Sequence, residues 1–151
     1  MKKLIFLLTA AICSSAVFAT SPKPDTNASA KIQKVFHHDF PEINNPSMTK
    51  VDDYYIVFFQ TKDNQSCRIF YDENGNAVQT IRNYEADNLS PFIRTKIESK
   101  YKDKKIFMVT DVATENEHYY EILLQDAKSL WVVHARDNGT LYTKKKFKRA
   151  I

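Results

Sequence analysis

The chain has 151 residues, of which 43% are hydrophobic and 26% are charged, and its formal net charge at pH 7 is +4. This length and composition are typical of one globular domain with a hydrophobic core. The small net charge argues against a dedicated nucleic-acid-binding protein, which would concentrate many cations on one face.

The first 19 residues have the pattern of a signal peptide. Two lysines at 2–3 precede an apolar run at 4–12, and a cleavage signal ends at Ala19. We therefore expect export to the periplasm or beyond the cell. Cys13 raises the alternative of a lipid anchor, but that cysteine should follow a small residue and it follows Ile12.

No later run approaches the roughly 20 apolar residues that a membrane-spanning helix needs, so no transmembrane segment is expected. Cys67 is the one cysteine left after cleavage, which rules out an internal disulfide in the mature chain. Without a disulfide, the stability of the mature chain must come from packing. Loss of the two leader lysines leaves 20 basic and 18 acidic residues.

Residues 20–28 are expected to form a flexible segment, followed by a first repeat over 29–84. Its helix is predicted from an apolar face with helical spacing, capped by Ser29 or Asn27 and stopped by Pro41. That face consists of Ile32, Val35, Phe36 and Phe40. Four strands are predicted after it: Met48 to Val51, Tyr54 to Gln60, Ser66 to Tyr71 and Ala77 to Tyr84.

A second repeat is predicted over 85–147. Ser90 is the expected helix cap and Pro91 suits the first turn. The apolar face of this helix consists of Phe92, Ile93, Ile97 and Tyr101. Its strands are predicted at Ile106 to Ala113, His118 to Leu124, Leu130 to Ala135 and Thr140 to Lys146.

The remaining residues, 148–151, are expected to form a basic tail. The basic run from Lys144 to Arg149 is interpreted as a solvated C-terminus, with association with an acidic partner as the alternative.

Three landmarks recur at nearly one spacing and predict an internal duplication. The two Asn-Gly turns, within 73–75 and 137–139, lie 64 residues apart, and the Tyr-Tyr pairs at 54–55 and 119–120 lie 65 apart. The two candidate cap serines lie 61 apart. The Asn-Gly pairs favour hairpins, and no helical crossover separates neighbouring strands. We predict an α+β fold in which one antiparallel sheet carries two helices on one face.

This order of helix, Tyr-Tyr strand and a strand ending in the sequence FYDENGN at 70–76 resembles the PepSY-like family of exported bacterial proteins. That family is related in fold to the β-lactamase inhibitory protein. The resemblance covers about 29–147 and implies a tandem repeat with helices on one side of its sheet and a binding surface on the other. It also implies inhibition of a secreted enzyme for some relatives, and no catalytic residues.

Strand alternation separates an apolar inner face from a mixed outer face. The inner face is predicted to hold Tyr55, Val57, Phe59, Cys67, Ile69, Tyr71, Tyr120, Ile122, Leu124, Trp131, Val133 and Ala135. The outer face is predicted to hold the candidate partner-binding residues Ile56, Phe58, Arg68, Phe70, Glu121, Leu123, Val132 and His134. An apolar patch of this kind is typical of an interaction surface.

These features favour a protein- or peptide-binding module of the cell envelope over an enzyme. The alternatives are a small-ligand or envelope-sensing module, a homodimer that buries the same face, cover by the chain's own segments, and an enzyme with His118 or His134 beside an acidic residue. Cofactors and metals are not expected, because Cys67 is predicted to face the core and the adjacent residues His37 and His38 diverge on a helix. Residues 72–76 read as a hairpin turn and not as a calcium loop.

Overall fold

A computed structural model describes residues 26–149, with side chains described from residue 29. Two helices, α1 (Thr26–Asp39) and α2 (Pro91–Lys100), are present, and a 3-10 turn (Ala86–Asn88) precedes α2. The strands are β1 (Ser47–Val51), β2 (Tyr54–Gln60), β3 (Ser66–Tyr71), β4 (Ala77–Tyr84), β5 (Lys105–Thr114), β6 (His118–Gln125), β7 (Ser129–Arg136) and β8 (Leu141–Lys148).

The eight strands form one sheet in sequence order, and every neighbouring pair is antiparallel. The predicted α+β class and antiparallel sheet are confirmed. The order of one helix and four strands occurs twice along the chain. The duplication of the sequence itself stays a prediction.

Each helix covers one half of the sheet. Helix α1 places Ile32 and Phe36 on the inner residues of β2 and β3, and α2 places Ile93 and Ile97 on those of β5, β6 and β7. Residues that are directly paired across strands lie on the same face of a sheet, and one row of such pairs runs from Cys67 through Arg82 and Asp111 to Tyr120. Both helices therefore lie on one side of the sheet.

Two details of the helices differ from the predictions. Ser29 lies inside α1, where its hydroxyl is 3.6 Å from the sulfur of Met48, and therefore does not cap the helix. Ser90 is the cap residue of α2 as predicted, with Pro91 in the first turn, although its side chain makes no capping hydrogen bond. Phe92 does not join the buried face: it is 51% exposed and lies against the turn at Gly139.

The two Asn-Gly turns use only the glycine for the left-handed conformation. Gly75 and Gly139 have φ angles of 81° and 80°, whereas the preceding asparagines stay outside that region. In the first turn the Asp72 carboxylate accepts hydrogen bonds from the backbone N–H and the side-chain amide of Asn76, at 2.8 and 2.9 Å. This is the predicted hairpin turn, closed by a side chain.

The chain ends differ from the predictions in two places. Helix α1 begins at Thr26, before the predicted start of the first repeat, and β8 continues to Lys148, two residues beyond the predicted end of this strand at Lys146. The basic residues at its end are exposed to solvent. The predicted signal peptide lies outside the described residues. Within residues 26–149, neither helix has the length and apolar character to span a bilayer.

Candidate functional site

The two faces of the sheet contain the residues that strand alternation assigned to them. The inner positions of β2, β3, β6 and β7 lie in the two hydrophobic clusters beneath the helices. Phe58, Arg68, Glu121 and Leu123 lie on the opposite face, which we call the outer face. No helix of the described residues covers the outer face, and six of its eight candidate residues are half-buried.

The first four candidates lie together on β2 and β3. Ile56 is paired with Phe70, and Phe58 with Arg68. Phe58 is 36% exposed, whereas Ile56 is buried although it lies on the outer face. Phe58 also borders a groove of about 540 Å³ at the sheet end, but Phe70 does not line it, so the two rings do not enclose one pocket.

The other four candidates lie together on β6 and β7. Glu121 is paired with His134, and Leu123 with Val132. Glu121 forms an ion pair with Lys144, a residue that a bulge in β8 leaves without a strand partner. The eight candidates therefore form two groups, which β4 and β5 separate by roughly 14 Å, at about 4.8 Å per strand.

Two residues that sequence reasoning missed bridge these groups. Ile81 pairs with Arg68 on one side and Val112 on the other, and Val112 pairs with Tyr119. Val112 is only 4% exposed. The alternation of residues along β5 could have assigned Val112 to the outer face. A bulge at Phe107 shifts this alternation, so counting from the start of the strand gives the wrong face.

His134 lies between two tyrosine rings. Its ring is 4.2 Å from that of Tyr119 and 4.7 Å from that of Tyr142, centroid to centroid, and its Nδ1 contacts the Tyr142 hydroxyl. Burial, with Lys144 nearby, lowers the pKa of His134. The neutral form of His134 is therefore favoured, and the charges in this part of the outer face belong to the ion pair of Glu121 and Lys144.

A polar cluster on the inner face was also missed. Asp111 is only 5% exposed and lies in the cross-strand row that links Cys67 of one hydrophobic cluster with Tyr120 of the other. Its carboxylate is 3.1 Å from Arg82 Nη2, 2.8 Å from His118 Nε2 and 3.3 Å from the Tyr84 hydroxyl. His118, which begins β6 as predicted, also contacts Asp137 through Nδ1 at 2.9 Å.

The enzyme alternative required a histidine beside an acidic residue, and His118 beside Asp111 is such a pair. Both ring nitrogens of His118 are already bonded to carboxylates, however. Cys67 is buried as predicted, and burial raises the pKa of its thiol, which leaves it a poor nucleophile. Within residues 26–149, no group of three or more histidine, cysteine, aspartate or glutamate side chains is arranged to hold a metal ion.

His118 makes the stability of the protein depend on pH. Burial acts to lower its pKa, but the hydrogen bonds to Asp111 and Asp137 outweigh burial and raise the pKa above the usual 6.5. The folded state then binds a proton more tightly than the unfolded state. This contribution is complete below pH 6.5 and is lost as the pH rises through the folded pKa.

The test compares the wild type with His118→Asn in urea unfolding between pH 5.5 and 8, where the carboxylates are largely ionised. The difference in free energy of unfolding is expected to be largest at pH 5.5 and to shrink toward pH 8. A difference that stays constant or grows with pH contradicts the prediction.

Comparisons with known proteins give structural neighbours only. No family model matches the chain, and no curated protein is significantly similar to it. A BLIP-like protein from Bacteroides fragilis is 18% identical with a TM-score of 0.65, and the match covers 85% of this chain and 91% of that one. A DUF2874 family protein from Bacteroides uniformis is 14% identical with a TM-score of 0.63, covering 79% and 88%.

A third neighbour, from Bacteroides eggerthii, carries a provisional description as periplasmic. It is 12% identical with a TM-score of 0.62, and the match covers 78% of this chain and 86% of that one. At these identities the likeness shows the fold alone. The fold is therefore BLIP-like, as the sequence resemblance implied, while membership in the PepSY-like family stays a prediction.

Proposed function

We propose that the protein is an exported binding module that docks a protein or peptide of the cell envelope on its outer face. The observation that carries this proposal is a pair of aromatic side chains on the outer face, which neither helix of residues 26–149 covers: Phe58 is exposed and Phe70 is half-buried. Large aromatic residues next to an arginine are enriched at the centres of protein interfaces, and Arg68 is the strand partner of Phe58.

The docking would be steric and hydrophobic, with charged residues setting orientation. Phe58, Phe70 and the bridging Ile81 supply apolar contact area, and Arg68 offers a directional donor. In the group of candidates on β6 and β7, Glu121 forms an ion pair with Lys144. Inhibition of a secreted or envelope hydrolase is one form of such docking, and the BLIP-like fold supports it.

The same proposal includes export through the signal peptide, residence in the periplasm or outside the cell, and origin by duplication of a PepSY-like unit. It also includes the absence of catalysis. The bonded state of both His118 nitrogens and the burial of Cys67 support a binding role, because neither group is available as a base or nucleophile in this arrangement.

The test is recovery of partners from an envelope extract of the source organism with immobilised wild type and with the double variant Phe58→Asp, Phe70→Asp. A specific partner is expected with the wild type and is expected to be lost with the variant, because two carboxylates on the docking surface would be desolvated. Circular dichroism and the fluorescence of Trp131, the one tryptophan of the chain, report whether the fold persists.

Phe92→Asp is the matched control, because Phe92 is an exposed phenylalanine on α2, on the opposite side of the sheet. This variant should keep the partner. Equal recovery by the double variant would place binding on another surface. Recovery of a small molecule instead of a protein would favour the ligand-sensing alternative.

A further inference from the structure

Strand β8 is an edge of the sheet and is rich in lysine. Among residues 26–149 it pairs only with β7. It contains four lysines and no acidic residue, and within the described part of the chain only one of them, Lys144, forms an ion pair. The exposed ammonium groups of Lys145, Lys146 and Lys148 therefore have no counter-charge in this part of the fold.

The backbone at the end of β8 has hydrogen-bonding groups on its open side. Arg149 donates its backbone N–H to the Lys128 carbonyl at 2.9 Å, and residues 146–148 continue the same register with β7. Hydrogen-bonded and non-hydrogen-bonded pairs alternate along an antiparallel ladder. The backbone N–H and C=O groups of Lys146 and Lys148 therefore point away from β7, toward the open side of the edge.

The first part of the same edge is covered by side chains at the end of α2. Lys100 Nζ donates to the Leu141 carbonyl at 2.9 Å, and the Tyr101 hydroxyl is 3.1 Å from the hydroxyl of Thr143. Within the described residues, the hydrogen bonds leave the edge at 145–148 without such a cover. We call residues 145–148 the open stretch of β8.

The helix-covered side of the sheet places cations and an aromatic ring beside the open stretch. Lys146 Nζ lies 4.4 Å and Lys104 Nζ 4.5 Å from the centre of the Trp131 ring. Lys104 is paired with Asp126 at 2.7 Å, so the charge of Asp126 is already balanced. Lys146 and Lys148 are two positions apart and lie on this same side. A strand with carboxylates at every second position would therefore place one opposite each of these two lysines.

We propose that the open stretch of β8 binds an extended acidic peptide as an additional antiparallel strand. The peptide backbone pairs with Lys146 and Lys148, and alternate carboxylates lie beside their ammonium groups, because opposite charges directly across strands attract. The charge pattern argues against a second copy of the chain as the occupant. Pairing of β8 with β8 opposes lysine with lysine, and the other edge strand, β1, has one lysine and no acidic residue.

The test is titration with synthetic peptides of about eight residues, followed by calorimetry and by the fluorescence of Trp131. A peptide that alternates glutamate with threonine is expected to bind and to change the fluorescence, because Lys146 contacts the Trp131 ring. A peptide of the same composition with its glutamates in one block is expected to bind at least about tenfold more weakly.

Backbone N-methylation separates strand pairing from charge attraction. Methylation of the glutamate amides of the alternating peptide should abolish binding, because residues opposite Lys146 and Lys148 donate to β8 from those amides. Methylation of the threonine amides, which point away from β8, should leave binding intact. Equal binding by both methylated peptides, or by the alternating and block peptides, overturns the inference, since the contact would then be electrostatic alone.

Charge-reversed variants locate the site. Lys146→Glu, Lys148→Glu is expected to lose the alternating peptide. The matched control Lys34→Glu, Lys62→Glu makes the same change of net charge at two exposed positions of the first half of the chain and should keep it. Equal losses in both variants would contradict a site on β8.

The proposed site is separate from the outer-face candidates Phe58 and Phe70, which lie on β2 and β3. The variant Phe58→Asp, Phe70→Asp should therefore still bind the alternating peptide, so that failure of this inference and failure of partner binding on the outer face are told apart. Absence of binding by the wild type overturns the inference. The lysines of β8 would then serve only to prevent edge-to-edge association, as charges on an edge strand commonly do.

Discussion

Replacement of Leu124 by alanine is expected to lower the free energy of unfolding by about 3 kcal/mol. Leu124 is fully buried in the cluster beneath α2, together with Ile122 and Val133. Truncation removes three buried carbons and leaves a cavity that the surrounding strands fill only in part, because the backbone of a central strand is held on both sides. The measurement is urea unfolding followed by circular dichroism and by the fluorescence of Trp131.

Leu123→Ala is the matched control, since it makes the same chemical change one residue away on the outer face. The loss of free energy of unfolding for Leu123→Ala is expected to stay below about 1 kcal/mol, because part of the Leu123 side chain is already in contact with water. Comparable losses for the two variants would mean that the outer face is as buried as the inner one. The assignment of a docking surface would then be wrong.

Replacement of Asp111 by alanine is expected to cost about 2–3 kcal/mol. The buried carboxylate is the shared acceptor of Arg82, His118 and Tyr84, and its removal leaves those donors unpaired. The cost falls below that of a fully buried ion pair, because the Arg82 side chain is half exposed and can regain water. Urea unfolding at pH 6, where His118 is largely protonated, is the appropriate measurement.

Asp137→Ala tests whether burial is the reason for that cost. Asp137 is exposed and contacts the same histidine at nearly the same distance, yet its loss is expected to cost less than about 1 kcal/mol. If the two variants are equally destabilised, the charge of His118 matters more than the burial of Asp111. If neither is destabilised, the cluster contributes nothing to stability.

The strands were predictable because two local signals agree. Alternation of apolar side chains marks strands such as Tyr54–Gln60, and the glycines at 75 and 139 occur where a positive φ is required. Antiparallel pairing in sequence order within β1 to β4, and within β5 to β8, follows from short hairpins that leave no room for a crossover, whereas the pairing of β4 with β5 across α2 has no such local signal. Inner and outer faces then follow from parity, as the burial of Val57 and the exposure of Phe58 illustrate.

The bulges were not predictable, and they shape the outer face. At Phe107 and at Lys144 one extra residue is inserted in a strand, so that two neighbouring side chains lie opposite one partner residue. The sequence carries no signal for this, because an inserted residue leaves the alternation on each side intact. Phe107, which lines a groove of about 620 Å³, and Lys144, which forms the ion pair with Glu121, both lie at such a bulge.

The sequence by itself therefore determined the α+β class, the strands and the face on which each regular strand residue lies, because these depend on local periodicity and turn chemistry. Tertiary structure alone decided that Asp111 lies between Arg82 and His118, and that β4 and β5 separate the two groups of outer-face candidates. Those relations depend on register between strands that are distant in the chain. Register follows from the packing of the whole sheet against its helices, which no local pattern encodes.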